Sequence, residues 1–516
     1  MSKSKKAAKS VVVIIFFTVC SKFLGFFREM LIAAKYGADA NTDTFFIALT
    51  AISLFTAFIT KSINTTMIPV LSEIEAKEGK EGKKNHTNNL LSIVSFLSLL
   101  TIILAWILSP CVIKIIAFGF EGEQFELTVL MMRIGLPAIL FASIQGVFRG
   151  YLQSELMFTE SAIATFPFNF VYIFFLISLA SFFDIRGLMM ASLLATASQI
   201  LIQIFYIGKT NFRYKYIFDL KDRYVNKIVR LIPPIFISAG IGDINRIIDK
   251  SMASTLAEGS ISALNYGNRL DKLTTSIFIS AIITVIFPML SQEANKEIFD
   301  GLKKIIIRGI NVILIITIPA TVGIIVLARP IVRVTFQRGA FDSTAAYMTV
   351  GALVFYSIGL VSSAVKSLLG KVYYSLQDTK TPMVNSFIAL GLNVILNLIF
   401  IRFMGHRGLA LATSISSIIT MMFLLYMLKK KIGSFGFLGS IKCGIKSLFA
   451  SIVMGVVVYY LDMGLAGRMG SGTLPELIAL LVSVGVGVLI YSVIIYLFRI
   501  EEVNWIIKVV KGKLRK

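Results

Sequence analysis

An all-α, polytopic membrane protein is the fold class this sequence predicts, and three observations carry that prediction. Of the 516 residues, 56% are hydrophobic and only 15% charged, and the mean hydropathy is +0.82, well above that of an ordinary soluble domain. The apolar residues fall into runs of about 20, the length that lets a helix cross the hydrocarbon core, and not into the short alternating segments of a barrel. Lys and Arg collect in alternate loops between those runs, the asymmetry that the positive-inside rule describes.

In order along the chain, hydropathy places helices near 11–34, 44–70, 89–117, 127–153, 160–183, 187–208, 226–255, 260–291, 304–328, 345–375, 382–402, 408–428, 438–462 and 475–498. The total is about fourteen transmembrane helices. The start, Met-Ser-Lys-Ser-Lys-Lys, looks like a signal n-region, but the apolar run behind it is long, contains charges and lacks a small-residue cleavage site, so it reads as a retained first helix. An even count puts both termini on one side. Assigning that side to the cytoplasm leaves roughly 30 Lys and Arg inside against about eight outside, so a multi-pass membrane protein with both ends in the cytoplasm is expected.

A repeat divides the chain. Pro69-Val-Leu-Ser-Glu-Ile-Glu-Ala-Lys-Glu, at the end of the second helix, returns as Pro288-Met-Leu-Ser-Gln-Glu-Ala-Asn-Lys-Glu at the end of the eighth. Leu152-Gln153 with Asn169, and Leu376-Gln377 with Asn393, form a second pair. Copies offset by an even number of spans share one orientation, as in transporters built from parallel repeats. The expected organisation is an N-lobe at 1–208, a C-lobe at 209–430, and two added helices with a tail at 431–516.

The net charge of +23 sits in loops and not on one amphipathic face, which points to topology and away from nucleic acid. Cys20, Cys111 and Cys443 lack CxxC spacing, so neither a disulfide framework nor a zinc site is indicated. Gly208-Lys209-Thr210 has Gln203 where a P-loop needs its first glycine, and His86 and His406 fall in predicted loops. No catalytic set or cofactor is expected. A transporter fits better than an enzyme.

The informative residues are charges inside spans, where a charged side chain costs about 3 kcal/mol on insertion scales and so faces a protein-lined aqueous cavity. Lys22, Arg28 and Glu29 lie in the first helix, Lys61 in the second, and Asp243, Arg246, Asp249, Lys250, Arg269, Asp271 and Lys272 in the seventh and eighth. Asp249 and Lys250 read equally well as a neutralised pair, and Asp271 and Lys272 as a helix-end pair. Arg269 follows Asn-Tyr-Gly-Asn and keeps its charge at any working pH. Lys22, Arg28 and Arg269, with Lys61 joining them or reaching an interface, suit a phosphate or pyrophosphate group. Asp249, Asn393, Asn397 and Thr413 offer oxygen ligands for a monovalent cation, although interhelical hydrogen bonding explains them more simply.

Ser21-Lys-Phe-Leu-Gly-Phe-Phe-Arg-Glu, Thr42-Asp-Thr-Phe-Phe, Gly259-Ser-Ile-Ser-Ala-Leu-Asn-Tyr-Gly-Asn-Arg-Leu, Phe336-Gln-Arg-Gly-Ala-Phe-Asp and Ser375-Leu-Gln-Asp-Thr-Lys-Thr-Pro together resemble the MurJ/MviN family of lipid II flippases, in the multidrug/oligosaccharidyl-lipid/polysaccharide exporter superfamily. The resemblance implies two six-helix lobes around a cationic cavity, with helices thirteen and fourteen forming a groove for a lipid tail. It implies a cargo of undecaprenyl-pyrophosphate-linked disaccharide-pentapeptide, drawn from membrane lipid and handed to the cell-wall synthesis machinery. Arg28 and Arg269 match the family's cavity arginines and Asp43 its acidic residue at the start of helix two. Lys22 stands where the family usually has arginine. A further family arginine in helix two has no counterpart, Thr56 lying nearby and Lys61 about a turn on. Glu29 and Asp43 are expected to hold the unloaded arginines as charge partners. Membrane potential, or coupling to a monovalent cation or anion, would supply the energy. The alternative cargo is another polyprenyl-pyrophosphate-linked glycan of capsule or O-antigen type.

Overall fold

The computed structural model describes residues 3–294, 299–470, 472–500 and 502, which form seventeen α-helices and one π-helical turn, with no strand among the described residues. By their contacts these residues group into two units, 1–262 with 339–341 and 263–338 with 342–516. The lobes expected from the repeat are a different kind of division. Contact grouping leaves the seventh expected span with the first unit.

Unit 1 begins with α1 (Lys3–Tyr36) and α2 (Ala40–Ile116). The second and third expected helices both extend into the charged stretch between them, which is rich in Glu and Lys, residues that favour helix, and meet there in a kink. Only Gly79, at φ 69°, breaks the run. The fourth expected span is two helices, α3 (Gly122–Gly135) and α4 (Ala138–Ser154), interrupted at Leu136 and Pro137. The fifth is α5 (Phe158–Ile163), α6 (Thr165–Phe174) and the π turn Phe175–Leu179, followed by α7 (Ile185–Gly208) and α8 (Arg223–Ala253). Asp39, Asp184 and Asp222 cap α2, α7 and α8 through their carboxylates. Both arms of α2 contribute to one core with α4, α7 and the start of α8, where Met67, Leu71, Leu90, Val147, Leu152 and Ile228 are buried. Beside that core Lys83, 1% exposed, pairs with Glu75 at 2.7 Å and Glu155 at 2.5 Å, and His86 bridges Glu78 and Asp222.

Unit 2 holds most of α9 (Ser260–Ala294), then α10 (Asp300–Val326), α11 (Ala328–Thr335), α12 (Ser343–Ile358), α13 (Leu360–Ser375), α14 (Lys380–Met404), α15 (His406–Ile432), α16 (Phe437–Met469) and α17 (Thr473–Leu497). One core joins α9, α10, α13 and α15; a second joins α10, α16 and α17. The expected tenth span bends by 46° at Gly359, where a Cβ would press on Ser414. Between α10, α13 and α16 lies an apolar cavity of about 350 Å³ lined by residues such as Ile318, Val322 and Leu448.

Among the described residues ten helical stretches are long and apolar enough to cross a membrane, eleven if the bent α12–α13 pair is one span. The expected spans α1, α8 and α9, each bearing several charges, are helical but outside that set, and adding these three gives fourteen. Exposed Ile103, Leu104, Ile107, Phe205 and Leu489 make an apolar surface suited to lipid. The two units share one local feature. Helices α4 and α13 both close with a non-glycine residue at positive φ, Leu156 and Gln377, and with Schellman hydrogen bonds from Met157 N to Leu152 O and from Asp378 N to Tyr373 O. That correspondence differs in register from the Leu-Gln match read in the sequence, since it pairs Leu156, and not Gln153, with Gln377.

Candidate functional site

In unit 1 the charged face of α1 meets α6. Residues 168, 169 and 172 of α6 fall on one side of the helix, and Arg28 reaches all three. Its Nη1 donates to Asn169 Oδ1 at 3.3 Å, and its Cζ lies 5.1 Å from the Phe168 ring centroid and 4.9 Å from that of Tyr172. Nη2 donates to Glu29 Oε1 at 2.9 Å, and the two side chains keep 13% and 5% exposure. Nearby, Ser21 Oγ pairs with Thr165 Oγ1 at 2.9 Å, fastening α1 to α6 a further two turns away. Arg28 thus lies against two aromatic rings and an amide while a carboxylate balances its charge. Among the described residues the charged partner that this guanidinium shows is Glu29.

Lys22 is half-buried on the same helix. Lys61 lies in the helical run of α2, but its side chain is outside the described residues. The expected role of Asp43 as a partner for an arginine has a different geometry here. Asp43 is 2% exposed; its Oδ2 accepts from Gly259 N at 2.8 Å, and its Oδ1 from Ser262 N at 2.7 Å and Ser262 Oγ at 2.6 Å. It caps the backbone amides where α9 begins. The same corner brings three backbones together. Gly37, Gly259 and Gly339 have φ of 70°, 80° and 57°, and a Cβ on each would strike the carbonyl oxygen of Ala340, Ala38 and Ala34 respectively. Ala340 N donates to Ala34 O at 2.9 Å. The segments at 34–43, 259–262 and 339–341 form one tight backbone junction.

On α8, Asn245 Nδ2 donates to Asp249 Oδ2 at 3.4 Å, Arg246 pairs with Asp243, and Lys250 Nζ reaches back to α2, donating to Thr50 Oγ1 at 2.7 Å and Phe46 O at 3.1 Å. In unit 2, Arg269 is exposed on α9. Three of the four candidate cation ligands come together: Asn397 Nδ2 donates to Asn393 Oδ1 at 2.9 Å and Asn393 Nδ2 to Thr413 Oγ1 at 3.2 Å, which joins α14 to α15. Asp249 belongs to unit 1. Among the described residues no three His, Cys, Asp or Glu side chains gather as metal ligands.

The sequence reading used Asn169 only as a repeat marker and passed over Phe168, Tyr172 and the three glycines. A Phe-x-x-x-Tyr spacing on an apolar helix has no signal that separates it from core. Nothing local links residues 28 and 169.

A family model described as lipid II flippase MurJ matches residues 32–480. A Haemophilus influenzae protein named "Probable lipid II flippase MurJ" is 30% identical over 462 residues, covering 86% of this chain and 90% of its own. A Rhizobium tropici protein of the same name is 28% identical over 511 residues, covering 96% and 95%. A solved structure described as "Lipid II flippase MurJ, inward closed conformation" has a TM-score of 0.78 at 25% identity and covers 94% of this chain and 98% of that one. An inward-facing multidrug resistance transporter of the MATE family shares the fold at a TM-score of 0.66 and 15% identity, over 80% of this chain and 95% of its own.

Proposed function

The chain belongs to the lipid II flippase MurJ family, and from that premise we propose that it moves lipid II, the undecaprenyl-pyrophosphate-linked disaccharide-pentapeptide, from the inner to the outer leaflet of the cytoplasmic membrane by alternating access, for peptidoglycan synthesis. The observation that carries the reading is Arg28, held by Asn169, Phe168 and Tyr172 with Glu29 as its exchangeable counter-charge. Pyrophosphate presents planar pairs of anionic oxygens to such a fork and displaces the Glu29 carboxylate. Lys22, Arg269 and Lys61 add charge for the same group, and the polyprenyl tail stays in lipid, along the helices α16 and α17. No covalent bond is made or broken, so the chain acts as a transporter and passes its cargo to the cell-wall synthesis machinery. Both termini face the cytoplasm.

An inside-negative potential favours outward movement of the anionic cargo by about 2.3 kcal/mol per charge at 100 mV. Collapsing the potential with an ionophore is expected to slow the outward step, and an unchanged rate would assign the energy to an ion gradient. Asp249, Asn393, Asn397 and Thr413 are then the residues to test for cation coupling.

The reading is tested in cells depleted of their own lipid II flippase. Expression of this chain is expected to restore growth and wall synthesis. Failure to restore either, with normal insertion, together with a change in capsule or O-antigen, would move the cargo to another polyprenyl-pyrophosphate-linked glycan.

A further inference from the structure

In unit 2 a lysine lies deep in the helices without a carboxylate beside it. Lys366 of α13 donates from Nζ to Thr420 Oγ1 of α15 at 2.9 Å. Thr420 is 12 residues from the end of α15 and 14 from its start, so the ammonium lies roughly 20 Å along the helix axis from either end. The Thr420 hydroxyl spends its own proton on Ser416 O at 2.6 Å, so towards Lys366 it only accepts. One turn earlier on both helices, Ser363 Oγ and Ser417 Oγ pair at 3.1 Å. Between residues 343 and 432 the sole acidic residue is Asp378, which is committed to Lys431 at 2.7 Å and to Thr381. Among the described residues Lys366 has no ion pair, and two of its three N–H bonds have no acceptor. Lys366 is partly exposed and its neighbour Ser367 exposed, so the group can be reached. An ammonium at this depth needs a counter-charge, and the protein supplies hydroxyls in its place.

We propose that Lys366, Ser363, Ser417 and Thr420 form a site for a singly charged anion. The ammonium supplies the charge, the two serine hydroxyls turn their protons toward the ligand, and Thr420 holds the ammonium in place. Free chloride has this chemistry, and so does one anionic oxygen of the cargo proposed above. The chloride case does not depend on that cargo.

The experiment follows thermal unfolding of the purified full-length chain in sodium gluconate at fixed ionic strength, titrated with chloride or, in a second arm, with lipid II. Lys366→Gln keeps an N–H for Thr420 and removes the charge. It is expected to weaken the stabilising ligand by about tenfold, the loss of one charged hydrogen bond. A Lys366-dependent chloride effect assigns the site to the free ion. A Lys366-dependent lipid II effect without a chloride effect assigns it to the cargo. Equal responses of native and variant chains to both ligands overturn the site, and a lipid II response that both chains share leaves the flippase reading standing. If Lys366→Gln does not fold, Ser417→Ala replaces it, and unchanged affinity for both ligands overturns the site equally.

Discussion

Arg28→Ala is expected to abolish outward movement of lipid II while leaving the protein inserted at native abundance. The guanidinium has Glu29 at 2.9 Å, Asn169 at 3.3 Å, and two aromatic rings near 5 Å around it. Each charge-assisted hydrogen bond to a pyrophosphate oxygen is worth about 1.5–3 kcal/mol, so losing the fork lowers cargo affinity by at least tenfold. Arg28→Lys keeps the charge but loses the fork, so it is expected to recover part of the activity. Removing Arg28 alone also takes a charged hydrogen-bond partner from Glu29, which is nearly buried. The double variant Arg28→Ala with Glu29→Gln separates the two effects: stability returns and transport does not. Transport by the double variant would show that Arg28 matters only as a counter-charge for Glu29.

Asp43→Ala is expected to be the most destabilising single change outside the apolar cores. It removes the acceptor of three short hydrogen bonds, two of them from backbone amides, and withdraws a negative charge from the start of α9. The loss is on the order of 3 kcal/mol, because buried amides are left without partners. Gly37, Gly259 and Gly339, all at positive φ against neighbouring carbonyls, leave the junction no side-chain volume with which to readjust. Asp43→Asn keeps one carbonyl acceptor and is expected to lose about half as much. Thermal unfolding in detergent measures both, and a melting temperature for Asp43→Ala equal to native would remove the junction from the account.

The helical class and the charged spans were legible because apolar length and in-span charge are local properties of the chain. The helical extension of both arms of α2 as far as the kink at Gly79 was not, since a charged Glu- and Lys-rich stretch reads as a loop by hydropathy while its residues favour helix. Arg28 stood out as a charge in an apolar run, but Asn169 is 141 residues away and Phe168 looks like any core aromatic. Asp43 was legible as an important acid and not as a cap, because its partners, 216 and 219 residues on, carry their donors on backbone that no side-chain pattern announces. Interhelical hydrogen bonding, the simpler expectation for Asn393, Asn397 and Thr413, is what they show: Asn397 bonds Asn393, and Asn393 bonds Thr413 across α14 and α15.

The most direct test of the central claim is the accessibility of lipid II at the outer leaflet in flippase-depleted cells supplied with either the native chain or Arg269→Ala at equal abundance. The account expects the native chain to restore externally accessible lipid II and the variant to leave it trapped inside. Restoration by neither form, with both correctly inserted, would contradict lipid II as the cargo; equal restoration by both would contradict a cationic site that includes Arg269.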